Sequence, residues 1–209
     1  MICSLGRRKE IIIPDRPHLL GEDEHLFLES LERAERYLEY GAGGSTVVAA
    51  RHGVRTVCVE SDRRFAEAVD RKIRPFNHHV VIHWADIGTT GKWGRPMKIL
   101  ATPRRRRRWP DYVYAPDRYR GDEFFDLVLI DGRFRVSCAL FVFRRALQTS
   151  TPCLVCFDDY TTRPEYHVVE RYCKPERLGV RMAFFHPLTA GLIRMPKDDD
   201  VRKYSRQPK

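Results

Sequence analysis

The chain has 209 residues, 43% of them hydrophobic, and a formal net charge of +10. That length suits a single domain with a full core, and no apolar run approaches the roughly 20 residues that span a membrane. Residues 1–10 are basic but have no apolar stretch, so they do not read as a signal peptide and a cytoplasmic setting is expected.

In chain order, Leu26, Leu28 and Leu31 among charges predict a helix over 21–35. A short strand follows at 36–40, then a helix opening at 45–51 after a glycine turn. The next strand is 56–60, with Val57 and Val59 on one face, and Asp62 is a good N-cap for a helix over 63–73. Residues 79–84 read as a third strand, ending near Asp86. The stretch 88–122 is rich in Gly, Pro and aromatics and is expected to be a substrate-side insert rather than disorder. Phe125 to Ile130 is a near-continuous apolar run, the mark of a central parallel strand. A helix over 133–148, a strand over 153–157 and a helix from Pro164 to about Cys173 follow. Residues 180–185 and 190–195 read as a closing antiparallel hairpin around Pro187. The residues from 196 to 209 are charged and expected to form a loose tail outside a single domain over 1–195.

Strands alternating with helices predict an α/β fold with a doubly wound, mostly parallel seven-stranded sheet. Ligands of such sheets bind beyond the carboxyl ends of the strands. Glu60, Asp86, Asp131, Asp158 and Asp159 all fall at those ends. Cys153 and Cys156 form a C-x-x-C, but inside an apolar strand, where positions three apart face opposite sides. The cysteines are therefore expected to be buried thiols.

The turn Glu39-Tyr40-Gly41-Ala42-Gly43-Gly44-Ser45-Thr46 carries the functional signal. Glycines after a strand let the backbone approach a ligand, and the helix that follows offers free N–H groups. Thr46 replaces the third glycine of the dinucleotide fingerprint, which weakens that reading. No Gly-Lys-Ser/Thr follows, so the turn is not a phosphate P-loop. Glu39 before the turn and Glu60 about 20 residues later suit a ligand with an amino-acid end and an adenosine end. S-adenosylmethionine has both.

On these residues the chain resembles the class I S-adenosylmethionine-dependent methyltransferases, from about residue 22 to 194. The resemblance implies a Rossmann-like fold in which Glu39, Gly41, Ala42, Gly43 and Ser45 line the methionine end. Glu60 and Ser61 would hold the ribose, Asp86 and Ile87 the adenine, and Asp131 would close the pocket. Asp131 and the pair Asp158-Asp159 further resemble the metal ligands of the catechol O-methyltransferase-like branch. That implies an Mg²⁺ site and O-methylation, with Asp131 as base or ligand.

Trp93, Trp109, Tyr112 and Arg133 are the candidate substrate residues, and the arginines suit an anionic small molecule. His83 and His167 are further candidate bases. Arg104 to Arg108 supply five of the positive charges. With the nearby aromatics, they also fit a nucleic-acid substrate or partner. A non-catalytic module that binds the donor without turnover is the third expectation.

Overall fold

The computed structural model describes residues 10–76, 78–91, 94–97, 102–119, 124–189 and 191–206. Its strands are β1 (Arg36–Tyr40), β2 (Arg55–Glu60), β3 (Val80–Trp84), β4 (Leu127–Ile130), β5 (Leu154–Phe157), β6 (Arg177–Leu178) and β7 (Ala183–Phe185). They form one sheet in the order β3-β2-β1-β4-β5-β7-β6. Neighbours among β1 to β5 pair in parallel, while β7 is antiparallel to β5 and β6 to β7. The mostly parallel seven-stranded α/β sheet is therefore as the alternation predicts.

Period-two alternation sorts the side chains onto two faces. Leu38, Tyr40, Val57, Val59, Val128, Ile130, Val155 and Phe157 build one core layer. Against it pack α5 (Trp109–Tyr114), α6 (Arg135–Thr149) and α7 (Asp198–Ser205). Tyr37, Leu127, Leu129 and Cys156 face the other way, with Phe27 and Leu31 of α1 (Glu22–Arg33) and Ala49 of α2 (Gly44–His52). Val47 and Ala50 of α2 meet Val69 and Ile73 of α3 (Arg63–Ile73). Asp62 caps α3 as expected, accepting from the backbone N–H groups of Arg64 and Phe65.

Three expectations need correction. The closing hairpin is β6–β7, earlier than the sequence places it, and 191–195 contributes only one bridge, between Cys173 and Leu192. The cause lies in α1. Fully buried Asp23 accepts the N–H groups of Val180, Arg181 and Met182 and so fixes the β6–β7 turn. The expected helix after Pro164 is a 3₁₀ helix, Pro164–Arg171. Its buried Tyr166 and Val169, with Tyr172 beyond, recur every three residues, which matches three residues per turn.

The tail is not loose. It holds α7, whose Val201 is fully buried, with Ser137 donating to the Val201 carbonyl at 2.7 Å. The described part of the insert is ordered, in line with its aromatic content, as α4 (Pro103–Arg106), α5 and a 3₁₀ turn, Ala115–Arg118. Pro103, Pro110 and Pro116 sit at the first or second position of these turns, where a missing N–H costs nothing.

No helix among the described residues is long and apolar enough to cross a membrane. The described cysteines are buried and free, as expected.

Candidate functional site

The turns after β1 and β4 meet at the point where the strand order reverses. Gly41 has φ 102°, and a Cβ there would lie 2.9 Å from Gly132 Cα. Glycine is required at both turns for this approach, since a Cβ at Gly132 would lie 2.8 Å from the Tyr40 carbonyl. The ladder continues past the strand ends, with Gly41 N–H donating to Val59 and Asp131 N–H to Tyr40. The glycine turn and Asp131 therefore share one rigid edge.

Glu39 does not face this edge. It shares its side of β1 with Tyr37, under α2, and is fully buried. Thr46 donates to one carboxylate oxygen at 2.6 Å and Ser45 to the other. Burial raises the Glu39 pKa to about 8 against the pull of these hydroxyls. Thr46 Oγ1 also accepts from Gly43 N–H at 3.0 Å. Glu39, Ser45 and Thr46 thus brace the turn from behind, which corrects the expectation that Glu39 and Ser45 line the methionine end. A Cβ at Gly44 would run into the Arg16 carbonyl, so the segment before α1 lies across the start of α2.

Glu60 stands at the β2 tip as expected, with its oxygens already engaged. Ala42 N–H donates to one at 3.0 Å; the N–H groups of Ser61 and Asp62 and the Ser61 hydroxyl donate to the other. Its pKa is raised by burial, against these donors. The Ser61 hydroxyl lies 3.1 Å from both Glu60 and the Gly94 carbonyl, so the insert packs directly on this corner. At the β3 tip, Asp86 accepts from Gly88 N–H and pairs with Arg108. The buried Ile87 carbonyl accepts from the Trp109 indole at 3.1 Å. The acids thus occupy the expected tips, and the insert is latched onto them.

Two candidate substrate residues are core instead. Trp109 and Tyr112 pack with Phe134, and the Tyr112 hydroxyl accepts from Arg133 N–H at 3.2 Å. Trp93 lies outside the described residues. His83 bonds to Tyr119 at the edge strand, and the His167 ring stacks on Tyr160.

Asp131, Asp158 and Asp159 do converge, each offering an oxygen within 4.8 Å of the others. The sequence reading missed what fills the space between them. Arg135, 4% exposed, contacts Asp131 at 2.7 Å, Asp159 at 3.3 Å and Asp158 at 3.6 Å. Its other donors reach the carbonyls of Gly132 and Asp158. Arg181 forks onto Asp158 at 2.9 and 3.1 Å, and Arg163 reaches Asp159 at 2.7 Å. Three guanidinium groups already balance three carboxylates, so this donor set does not fit a resident Mg²⁺. Helical i,i+4 spacing links Asp131 to Arg135 and Asp159 to Arg163, a signal that could have found those two partners, whereas Arg181 comes from 23 residues beyond Asp158 and leaves no local trace.

Asp131 differs from its neighbours in being open. Its side chain is 41% exposed, against 3% for Asp158. Desolvation on its inner side raises its pKa against the pull of Arg135, and Asp158 and Asp159 raise it further. A carboxylate that is open on one side and has a raised pKa is placed to accept a proton.

No protein-family model matches the chain, and no curated protein does. Among solved structures, a methyltransferase-like protein (spo2022) from Silicibacter pomeroyi DSS-3 is 35% identical. The match covers 92% of this chain and 99% of that one, with a TM-score of 0.75. The N-methyltransferase NodS from Bradyrhizobium japonicum WM9 is 13% identical over 79% of this chain and 97% of that one. Its TM-score is 0.42.

Proposed function

The chain belongs to the methyltransferase-like proteins of the class I S-adenosylmethionine-dependent fold, and on that premise we propose that it methylates an oxygen of a small molecule. The observation that carries this is the open, proton-accepting Asp131 fixed against the Gly41 turn. The residues present suit the donor. Gly41, Ala42 and Gly43 give a backbone surface without side-chain bulk, and Glu60 and Asp86 stand at the next two strand tips. The donor supplies a methyl carbon already activated on a sulfonium. With the donor bound, the acceptor oxygen would form the new carbon–oxygen bond while the electrons of the breaking carbon–sulfur bond stay on sulfur. Asp131 takes the oxygen's proton, and Arg135 holds the Asp131 carboxylate in place.

A small acceptor suits the site because the described insert folds down on the strand tips through Asp86, Ile87 and Ser61. The test is turnover of S-adenosylmethionine to S-adenosylhomocysteine with a panel of small hydroxylated compounds. Asp131→Asn is expected to abolish turnover while leaving S-adenosylhomocysteine affinity within about twofold. Equal turnover by Asp131→Asn would remove Asp131 from the chemistry.

A further inference from the structure

Arg133 and Arg135 are both buried at the tip of β4, but only one of them is matched. Arg135 meets three carboxylates and three carbonyls. Arg133 is 7% exposed, and its Nη1 has no hydrogen-bond partner among the described residues. Burial lowers its pKa, and so do Arg135 and Arg95, both cations. The groups acting the other way are the Tyr112 and Tyr166 phenols. A buried guanidinium surrounded in this way carries a standing electrostatic cost that an anion relieves.

The main chain presents this side chain firmly. Arg133 N–H donates to Tyr112 Oη, and its carbonyl accepts from Cys138 Sγ at 3.3 Å. Phe134, with φ 55°, then turns the chain into α6. That 15-residue helix starts with no side-chain cap and no acid in its first turn. Its positive end and the unmatched guanidinium lie within two residues of each other, and Arg133 follows Asp131 by two residues at the same strand tip.

We propose that Arg133 and the uncapped start of α6 form an oxyanion-binding subsite next to Asp131, which takes a carboxylate or phosphate group of a bound ligand. Two sources share this chemistry: the carboxylate on the amino-acid end of the methyl donor, and an anionic group on the acceptor. Only the choice between them rests on the methyl-transfer reading.

The experiment compares the wild type with Arg133→Gln and Arg133→Lys in three measurements. The first is melting of the unliganded protein. Removing an unmatched buried cation is expected to leave the melting temperature equal or higher, whereas a merely structural arginine would lower it. The second is calorimetry with S-adenosylhomocysteine and with 5′-methylthioadenosine, which has the same adenosine end and no carboxylate. If the anion belongs to the donor, Arg133→Gln weakens S-adenosylhomocysteine by about 10- to 100-fold and leaves methylthioadenosine unchanged. The third is the rise in melting temperature caused by inorganic phosphate at constant ionic strength. If the anion belongs to the acceptor, phosphate stabilises the wild type and not Arg133→Gln, while S-adenosylhomocysteine affinity is unchanged. Arg133→Lys is expected to fall between the two in either case. Unchanged S-adenosylhomocysteine affinity together with an unchanged phosphate response would overturn the subsite. Failure of every variant and the wild type to bind S-adenosylhomocysteine would count against the donor, and the phosphate response would still decide the subsite.

Discussion

At Glu39 a carboxylate is closed in under α2 with a pKa raised to about 8, and this has a consequence for stability. An unfolded Glu loses its proton near its ordinary pKa of about 4.3, so between there and about 8 only the folded state holds it. Stability from this group is full below the unfolded value and is lost as the pH rises through the folded one. Glu39→Gln removes the titration. Its stability relative to the wild type is therefore expected to climb from pH 5 to 9, by roughly 1.4 kcal/mol per pH unit at most. A gap that stays flat in urea titrations across that range would contradict the buried, protonated carboxylate. Thr46→Val cuts two of the brace's hydrogen bonds and is expected to cost about 1–3 kcal/mol in the same titration. Asp131 sets a different dependence. As the base it must be unprotonated, so the transfer rate should rise with pH through a pKa above that of an ordinary Asp, and Asp131→Asn should erase that limb. The positions of Glu39, Glu60 and Asp131 were legible from their spacing to the strand ends. The orientation of Glu39 was not used, although its two-residue offset from core-facing Tyr37 already placed it on the α2 side.

At the scale of elements, the insert and the C-terminal helix hid from sequence reading for the same reason. Each is built of turns too short to show a helical period. Pro103, Pro110 and Pro116 read as breakers, although each one starts a helical turn. In α7, Val201 is the one buried apolar side chain, so no stripe announces the helix. The latch between insert and strand tips is open to test at Gly94, where φ is 67° and a Cβ would lie 2.5 Å from Ser61 Oγ. Gly94→Ala is expected to lift the insert from Glu60 and cost about 1 kcal/mol or more. It should also speed tryptic cleavage at Arg104 to Arg108. Cleavage at the wild-type rate would show that the Ser61–Gly94 contact does not hold the insert. Deleting residues 197–209 removes Val201 from α6 and its bond to Ser137, and is expected to lower stability by about 2–4 kcal/mol. An unchanged melting temperature would deny α7 its place in the core.

Across the whole molecule, the sheet was the most legible feature because β4 and β5 are continuous apolar runs and the strands recur at the spacing of a βαβ repeat. What escaped was everything set by partners distant in sequence. Asp23 fixes the β6–β7 turn from about 157 residues away, and Arg181 reaches back to the Asp158 acids. The charge balance changes the picture of the site. Arginines meet the acid cluster internally, and Arg108 ties part of the basic run to Asp86. The positive charge of the chain is thus built partly into its carboxyl edge, around the place where a methyl donor would sit. The most direct test is a calorimetric titration of S-adenosylhomocysteine into the wild type, Asp131→Asn and Glu60→Ala, with folding of each checked by circular dichroism. Saturable binding by the first two, weakened at least about tenfold in Glu60→Ala, is the expected result. A folded wild type that shows no binding, or a Glu60→Ala variant that binds as tightly, would contradict the assignment of this edge to the methyl donor.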